Sequence, residues 1–187
     1  YGELGDGTTE QRLLPTAVSS LSGVAQLSAG GDVSCTRESS GTAWCWGRNY
    51  FGALGNGGGG DSSVPVQVSD MSDAAFITAG DETAFAVRTD GTLWAWGRGT
   101  EGVLGIGVAT QRMTPVEVVG ITGVQQVTSG SNTTCAIASG GTYCWGHGDG
   151  GQMGNGTFED SPTPTLVNDS AGFVLLDSNM NHICAVD

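Results

Sequence analysis

The sequence predicts an all-β repeat protein, and three observations support this prediction. A glycine signature of the form G-x-[LM]-G-x-G begins at residues 2, 52, 102 and 151, so successive copies lie 50, 50 and 49 residues apart. A Trp-Gly pair stands six residues before three of these copies, at Trp46, Trp96 and Trp145. Glycine supplies 33 of the 187 residues without a triplet period. A fixed period of this length indicates stacked copies of one supersecondary unit.

Each unit contains short alternating segments separated by turn residues, a pattern typical of β-strands. The glycine-rich stretch 47–64 connects the third strand of the first complete unit to the fourth. Pro65 stands at the start of the predicted fourth strand, which favours an edge position because proline lacks the N–H of a ladder bond. Strands are expected near 24–28, 33–37, 42–46 and 65–68, and again near 125–129, 133–137, 142–145 and 164–167.

The cysteines set the register of the second and third strands. Cys35 and Cys45, as directly opposed residues, centre their hairpin on the three-residue loop 39–41. Gly41 then occupies the left-handed position that such a loop requires. Cys135 and Cys144 centre on the two-residue loop 139–140, so one residue lost from this turn explains the spacing of 49.

Directly opposed residues of an antiparallel pair are close enough for a disulfide. We therefore predict the disulfides Cys35–Cys45 and Cys135–Cys144 and leave Cys184 unpaired. The alternative is that these cysteines are small buried apolar residues. In the second unit both positions change together, to Phe85 and Ala95, which favours the disulfides. Disulfides in turn predict an extracellular or periplasmic location.

Aromatic and small residues alternate along the third strand of every unit. Side chains at i and i+2 share a strand face, so Trp44 and Trp46 lie on one face and Cys45 on the other. We interpret the tryptophans as packing between successive sheets; a ligand-stacking or photoactive role is the alternative. Radial stacking of such sheets makes a β-propeller of four-stranded antiparallel blades. The same alternation recurs at Trp94, Ala95 and Trp96 and at Tyr143, Cys144 and Trp145.

The unit resembles the regulator-of-chromosome-condensation repeat, in a form similar to secreted bacterial members. The resemblance covers essentially the whole chain and implies a propeller, usually of seven blades. The family often places histidine two residues before the cysteine position, and here only His182 keeps it. Residues 23–70 contain nearly the whole pattern, as Gly23-Val24, Ala29-Gly30, Gly41-Thr42, Trp46-Gly47-Arg48-Asn49, Gly52-Ala53-Leu54-Gly55 and Pro65.

The repeat phase divides the chain into one domain, residues 1–187, with three complete units and two partial ones. We expect partial units at 1–22 and 172–187 and complete units at 23–72, 73–122 and 123–171. This would be about half of a seven-bladed ring, so the chain is expected to be part of a longer propeller. Its open blade edges could then support self-association.

Composition and motifs disfavour several function classes. The net charge of −13, with six arginines and no lysine, disfavours nucleic-acid binding because the surface repels phosphates. The absence of a long apolar run predicts no membrane insertion. The glycines of 97–102 match a dinucleotide fingerprint, but no helix follows them, so we expect no cofactor. His147 and His182 belong to no nucleophile–base pattern, and the acidic loops match no calcium spacing, so no catalytic or metal residue is assigned.

The function predicted from the sequence is a non-enzymatic scaffold that binds a protein or cell-surface ligand through propeller loops. Candidate contacts lie where the repeats disagree, with burial of the first two against the next blade left as an alternative. The resemblance also implies two alternatives, an intracellular regulator of guanine-nucleotide exchange and an inhibitor of a secreted enzyme. A photoreceptor role is disfavoured because its G-W-R-H-T motif is missing. The candidate binding residues are Tyr50, Phe51, Asp61, Thr100, Glu101 and Phe158.

Overall fold

The computed structural model describes residues 1–168, 172–180 and 182–187. Their strands form three four-stranded antiparallel sheets and one two-stranded sheet, each ordered as in the sequence. The predicted boundary between units 123–171 and 172–187 falls on residues 169–171, outside the described residues. Blade 1 contains β1 (Val24–Ala29), β2 (Val33–Glu38), β3 (Ala43–Gly47) and β4 (Ser62–Gln67). Blade 2 contains β5 (Ala74–Ala79), β6 (Thr83–Arg88), β7 (Leu93–Gly97) and β8 (Arg112–Val118). Blade 3 contains β9 (Gln126–Ser129), β10 (Thr133–Ala138), β11 (Gly141–Gly146) and β12 (Ser161–Leu166), and a hairpin of β13 (Leu175–Asn179) and β14 (His182–Val186) follows.

These sheets make up a partial propeller of three full blades and part of a fourth, as the sequence predicts. The helical structure in the described part of the chain is a single 3-10 turn at Thr100–Gly102. No helix there has the length and apolar character needed to cross a lipid bilayer.

Both predicted disulfides are present. Cys35 lies directly opposite Cys45, and Cys135 lies directly opposite Cys144, with 4.1 Å between the Cα atoms of each pair. Gly41 has a φ of +91°, as its hairpin loop requires. In blade 2, Phe85 and Ala95 are opposed in the same way. The sequence register is therefore confirmed in all three blades.

The fourth strands begin earlier than predicted. We expected β4 to start at Pro65, but it begins at Ser62, which pairs with Gly47. A register shift between Cys45 and Gly47 allows this pairing, because three residues of β4, 63–65, lie opposite the single residue Trp46 of β3. Pro65 is thus an interior residue of an edge strand, and the predicted edge position is confirmed.

The apolar core lies between blades rather than inside one of them. The disulfide face of blade 1, with Cys35 and Cys45, packs against Trp96 of blade 2. Phe85 takes the equivalent place in blade 2 and meets Trp145 of blade 3 edge-on, with 6.4 Å between the ring centroids. The face of blade 3 packs on Leu176 of the hairpin. Packing of the aromatic side chains between sheets is therefore confirmed.

Each tryptophan of a Trp-Gly pair also bonds to the signature loop of the preceding unit. Trp96 Nε1 donates to Ala53 O at 2.9 Å, and Trp145 Nε1 donates to Val103 O at 2.8 Å. In the same way Trp46 Nε1 donates to Glu3 O at 2.8 Å. The glycine signature and the tryptophan are thus two halves of one contact between blades.

The disulfides give a testable thiol count. In denatured, unreduced protein we expect one reactive thiol per chain, that of the exposed Cys184, and five after reduction. Each loop closed by a disulfide contains about ten residues, and such a crosslink stabilises the fold by about 2–3 kcal/mol. Quantifying thiols with a chromogenic disulfide reagent is the measurement. Five reactive thiols before reduction would contradict both crosslinks.

Candidate functional site: the long-loop face

The long connections of all blades leave at the same end of the strands, which we call the long-loop face. In blade 1 this end carries the β1–β2 loop, 30–32, and the β3–β4 loop, 48–61. The opposite end carries tight hairpin turns and the connections between blades. Within the β3–β4 loops the glycine signature is constant, and the residues on either side of it differ between repeats. The equivalent loops are 80–82 and 98–111 in blade 2 and 130–132 and 147–160 in blade 3.

The β3–β4 loop of blade 1 is built around the buried side chain of Asn49. Asn49 Nδ2 donates to Gly58 O at 2.8 Å and to Gly60 O at 3.1 Å, and its Oδ1 accepts from Leu54 N at 3.0 Å. Asp61 Oδ1 accepts the Asn49 backbone N–H at 2.8 Å. Asp61, a predicted binding residue, therefore also holds the loop in shape. Its second carboxylate oxygen makes no hydrogen bond within the described residues.

All six predicted binding residues lie in the β3–β4 loops and hence on the long-loop face. Tyr50 and Phe158 are 69% and 72% exposed, and Thr100 and Glu101 are also exposed. Phe51 is half-buried and meets Tyr50 edge-on at 4.7 Å. The residues are spread over three blades, so the structure gathers them on one surface but not into one pocket.

His147 links the loops of blades 2 and 3. Glu101 has a φ of +58°, and its carboxylate lies 3.4 Å from His147 Nδ1, while Asp149 Oδ1 lies 3.0 Å from Nε2. Within the described parts of the chain, no group of three or more His, Cys, Asp or Glu side chains is arranged to hold a metal ion. We therefore interpret His147 as a contact that joins the β3–β4 loops of blades 2 and 3.

A chain of charged side chains crosses the blades on the same face. Arg48 Nη1 lies 3.1 Å from Asp32 Oδ2 and 3.1 Å from Glu82 Oε1 of the next blade. Arg98 Nη1 lies 3.5 Å from Glu82 Oε2, and Arg98 Nη2 donates to Ser131 O at 2.6 Å. The hydrogen bond to Asp32 raises the pKa of Arg48 above its ordinary value. This network was not predicted from the sequence, although both arginines directly follow a Trp-Gly pair.

The first strands of neighbouring blades are joined by glutamine side chains. Gln26 Nε2 donates to Ile77 O at 2.9 Å, and its Oε1 accepts from Ile77 N at 3.0 Å. Gln126 makes the same two bonds to Leu176, at 2.7 and 2.9 Å. Phe76 occupies the equivalent position in blade 2. These contacts hold the inner ends of the blades together around the propeller axis.

Sequence comparison identifies one repeat family. The Regulator of chromosome condensation (RCC1) repeat matches residues 40–87, 90–137 and 139–185, and a second description of the same repeat matches residues 75–103. No curated protein is similar enough in sequence to count as a match.

Solved structures share the fold at low sequence identity. Human WBSCR16 superposes with a TM-score of 0.84 at 21% identity, over all of this chain and 52% of that one. Prp20p from Saccharomyces cerevisiae superposes with a TM-score of 0.76 at 23% identity, over 87% of this chain and 43% of that one. The ectodomain of the Physcomitrella patens receptor kinase CR4 gives 0.51 at 22% identity, over 82% and 35%. The chain spans about half the length of the first two.

Proposed function

The chain belongs to the Regulator of chromosome condensation (RCC1) repeat family, and from that premise we propose that it is a non-enzymatic scaffold whose long-loop face binds a protein or cell-surface ligand. One observation supports this most directly. The β3–β4 loops all emerge at one end of a regular framework, and they differ between repeats on both sides of the constant glycine signature. Binding residues are commonly placed on variable loops that a rigid scaffold positions.

The exposed aromatic side chains of this face suit a binding role. Tyr50 and Phe158 each present a large ring to solvent. Hydrogen bonds within each loop, from Asn49 N to Asp61 and from Gly148 N to Asp160, hold the two loops in shape. Rings of this kind supply much of the binding energy in protein interfaces, because they bury a large area at a small entropy cost. Nearby acidic side chains such as Glu101 and Asp149 would form a polar rim.

We also propose that the protein works in an extracellular or periplasmic compartment. The support is the pair of buried disulfides, which form and persist under oxidising conditions. The alternative of an intracellular exchange regulator draws on the shared fold with Prp20p, whose structure is described together with its binding to Gsp1p and histones. The disulfides favour the first proposal.

The test compares two double variants of the chain. In one, Tyr50→Ser and Phe158→Ser remove the exposed rings of the long-loop face. In the matched control, Val119→Ser and Val174→Ser remove apolar side chains that are 60% and 70% exposed at the opposite end. Labelled chain is applied to individually displayed secreted and surface proteins of the source organism.

We expect a ligand that binds the wild type and the control equally and binds the long-loop variant at least ten-fold more weakly. Equal binding by all three proteins would contradict the proposed face. Accelerated nucleotide release from a small GTPase, with no surface ligand, would favour the exchange-regulator alternative instead.

A further inference from the structure

A polar pocket opens where the first strands of four successive units end on the long-loop face. Its volume is about 480 Å³, within the range of roughly 300–1,000 Å³ typical of small-ligand sites. Glycines at equivalent positions, Gly30, Gly80 and Gly130, form much of its wall, and a Cβ on any of them would collide with its own or the next blade. The hydroxyl of Ser131 and the amide of Asn179 add polar groups to the lining.

Among the described residues that line the pocket, Asp81 is the one that is ionisable. Its carboxylate lies over Gly31, where any side chain on that glycine would collide with Asp81 Oδ1. In the part of the chain that the structure describes, no residue donates a hydrogen bond to the Asp81 carboxylate and none forms an ion pair with it. Asp81 thus differs from Asp32 and Glu82, which flank the pocket and are paired with arginines. An unpaired carboxylate in a concave polar site favours a cationic ligand.

The neighbouring arginines do not neutralise Asp81. Arg48 reaches Asp32 and Glu82, and Arg98 reaches Glu82 and the backbone of Ser131. Their charges are therefore used in holding the blades together. A chain with a net charge of −13 adds a negative field that concentrates cations near such a concavity.

We propose that this axial pocket accepts the guanidinium of an arginine side chain supplied by the partner, a proposal that rests on the scaffold function above. Asp81 would pair with the guanidinium, and Ser131 and Asn179 would accept its remaining N–H groups. Arginine suits the site better than lysine, because its planar fork pairs with both carboxylate oxygens and it is less strongly hydrated. The pocket volume of about 480 Å³ leaves room for the side chain to reach the carboxylate.

The test is an NMR titration of the whole chain with a capped Gly-Arg-Gly tripeptide. The reporters are the backbone amide signals of Gly30, Gly80 and Gly130. The neutral tripeptide with citrulline in place of arginine has the same shape without the charge. Asp81→Asn removes the proposed partner, and Asp70→Asn is a charge-matched control at the opposite end of the blades. Urea unfolding of both variants shows that they are folded.

We expect the arginine peptide to shift the three glycine signals, with affinity reduced at least ten-fold in Asp81→Asn and unchanged in Asp70→Asn. The citrulline peptide should produce no saturable shift, and a lysine peptide should bind more weakly. Equal binding by Asp81→Asn or by the citrulline peptide would overturn the proposal, as would lysine binding as tightly as arginine.

The same variants separate this proposal from the scaffold function. In one outcome, a partner loses affinity for the Tyr50 and Phe158 variant yet binds Asp81→Asn as tightly as the wild type. That result would contradict arginine binding in the pocket and support the scaffold function. Saturable arginine binding that depends on Asp81, with no partner captured by the long-loop face, would leave the pocket standing and refute the scaffold.

Discussion

Trp145→Ala should lower the free energy of unfolding by about 3–5 kcal/mol, the usual cost of removing a large buried aromatic side chain. Trp145 is fully buried between blades 2 and 3, where its ring meets Phe85 and its Nε1 donates to Val103 O. The truncation removes both contacts and leaves a cavity between the blades. Urea unfolding, followed by circular dichroism in the far ultraviolet, measures the loss.

Two control variants show which part of the tryptophan matters. Trp145→Phe keeps most of the ring and removes the N–H donor; Thr134 Oγ1 still donates to Val103 O at 3.0 Å, so we expect a smaller loss of about 1–2 kcal/mol. Phe158→Ala removes an exposed ring and should change stability by no more than about 0.5 kcal/mol. A loss below about 1 kcal/mol for Trp145→Ala would contradict the account of packing between blades.

Gly105→Ala should destabilise the protein by about 2–5 kcal/mol although it adds only one methyl group. Gly105 has a φ of +72°, a conformation that costs a residue with a Cβ about 1–2 kcal/mol. A Cβ at this position would also lie 2.6 Å from Trp145 Nε1. The indole would have to shift away from Val103 O, and overpacking of this kind costs about 1–3 kcal/mol more.

Gly107→Ala is the matched control for the contact with Trp145. Gly107 lies in the same signature with a φ of +82°, but the nearest atom to its added Cβ is Thr163 Cγ2, at 3.9 Å. This variant should show the backbone strain alone, about 1–2 kcal/mol. Urea unfolding of the two variants side by side separates the effects. Equal losses would mean that the contact with the tryptophan adds nothing.

Much of the fold could be predicted because the geometry of its hairpins depends on the spacing of residues that are close together in the sequence. The opposed pair Cys35 and Cys45 fixed both a hairpin register and a loop length, and the structure confirms both. The predicted start of the fourth strand was wrong, because the irregular pairing after Cys45 depends on how the long loop returns to Gly47. Alternation along a strand does not reveal such a shift of two residues.

The candidate site was predictable only in part. The differences between repeats identified the loops of Tyr50 and Phe158, and the structure places both rings in solvent. Their role in binding stays a prediction. Differences between repeats do not indicate that Asp61 also holds its own loop, and Asp81 was not among the predicted binding residues. The signal for Asp81 was present, since it is the only ionisable residue in the column of Gly31, Ser131 and Met180 beside the glycine wall.

The sequence by itself determined the repeat, through its period of about 50 residues. It also determined the strand register and the two disulfides, because these depend on residues about ten positions apart and on the two-residue period of a strand. It also showed that the glycine signature and the Trp-Gly pair belong to every complete unit. Only the tertiary structure decided that they touch across blades, with Trp145 reaching back 42 residues to Val103. It alone decided that Asp81 faces an open axial pocket. Such contacts depend on how one blade stacks on the next, and the spacing within a single repeat does not encode that stacking.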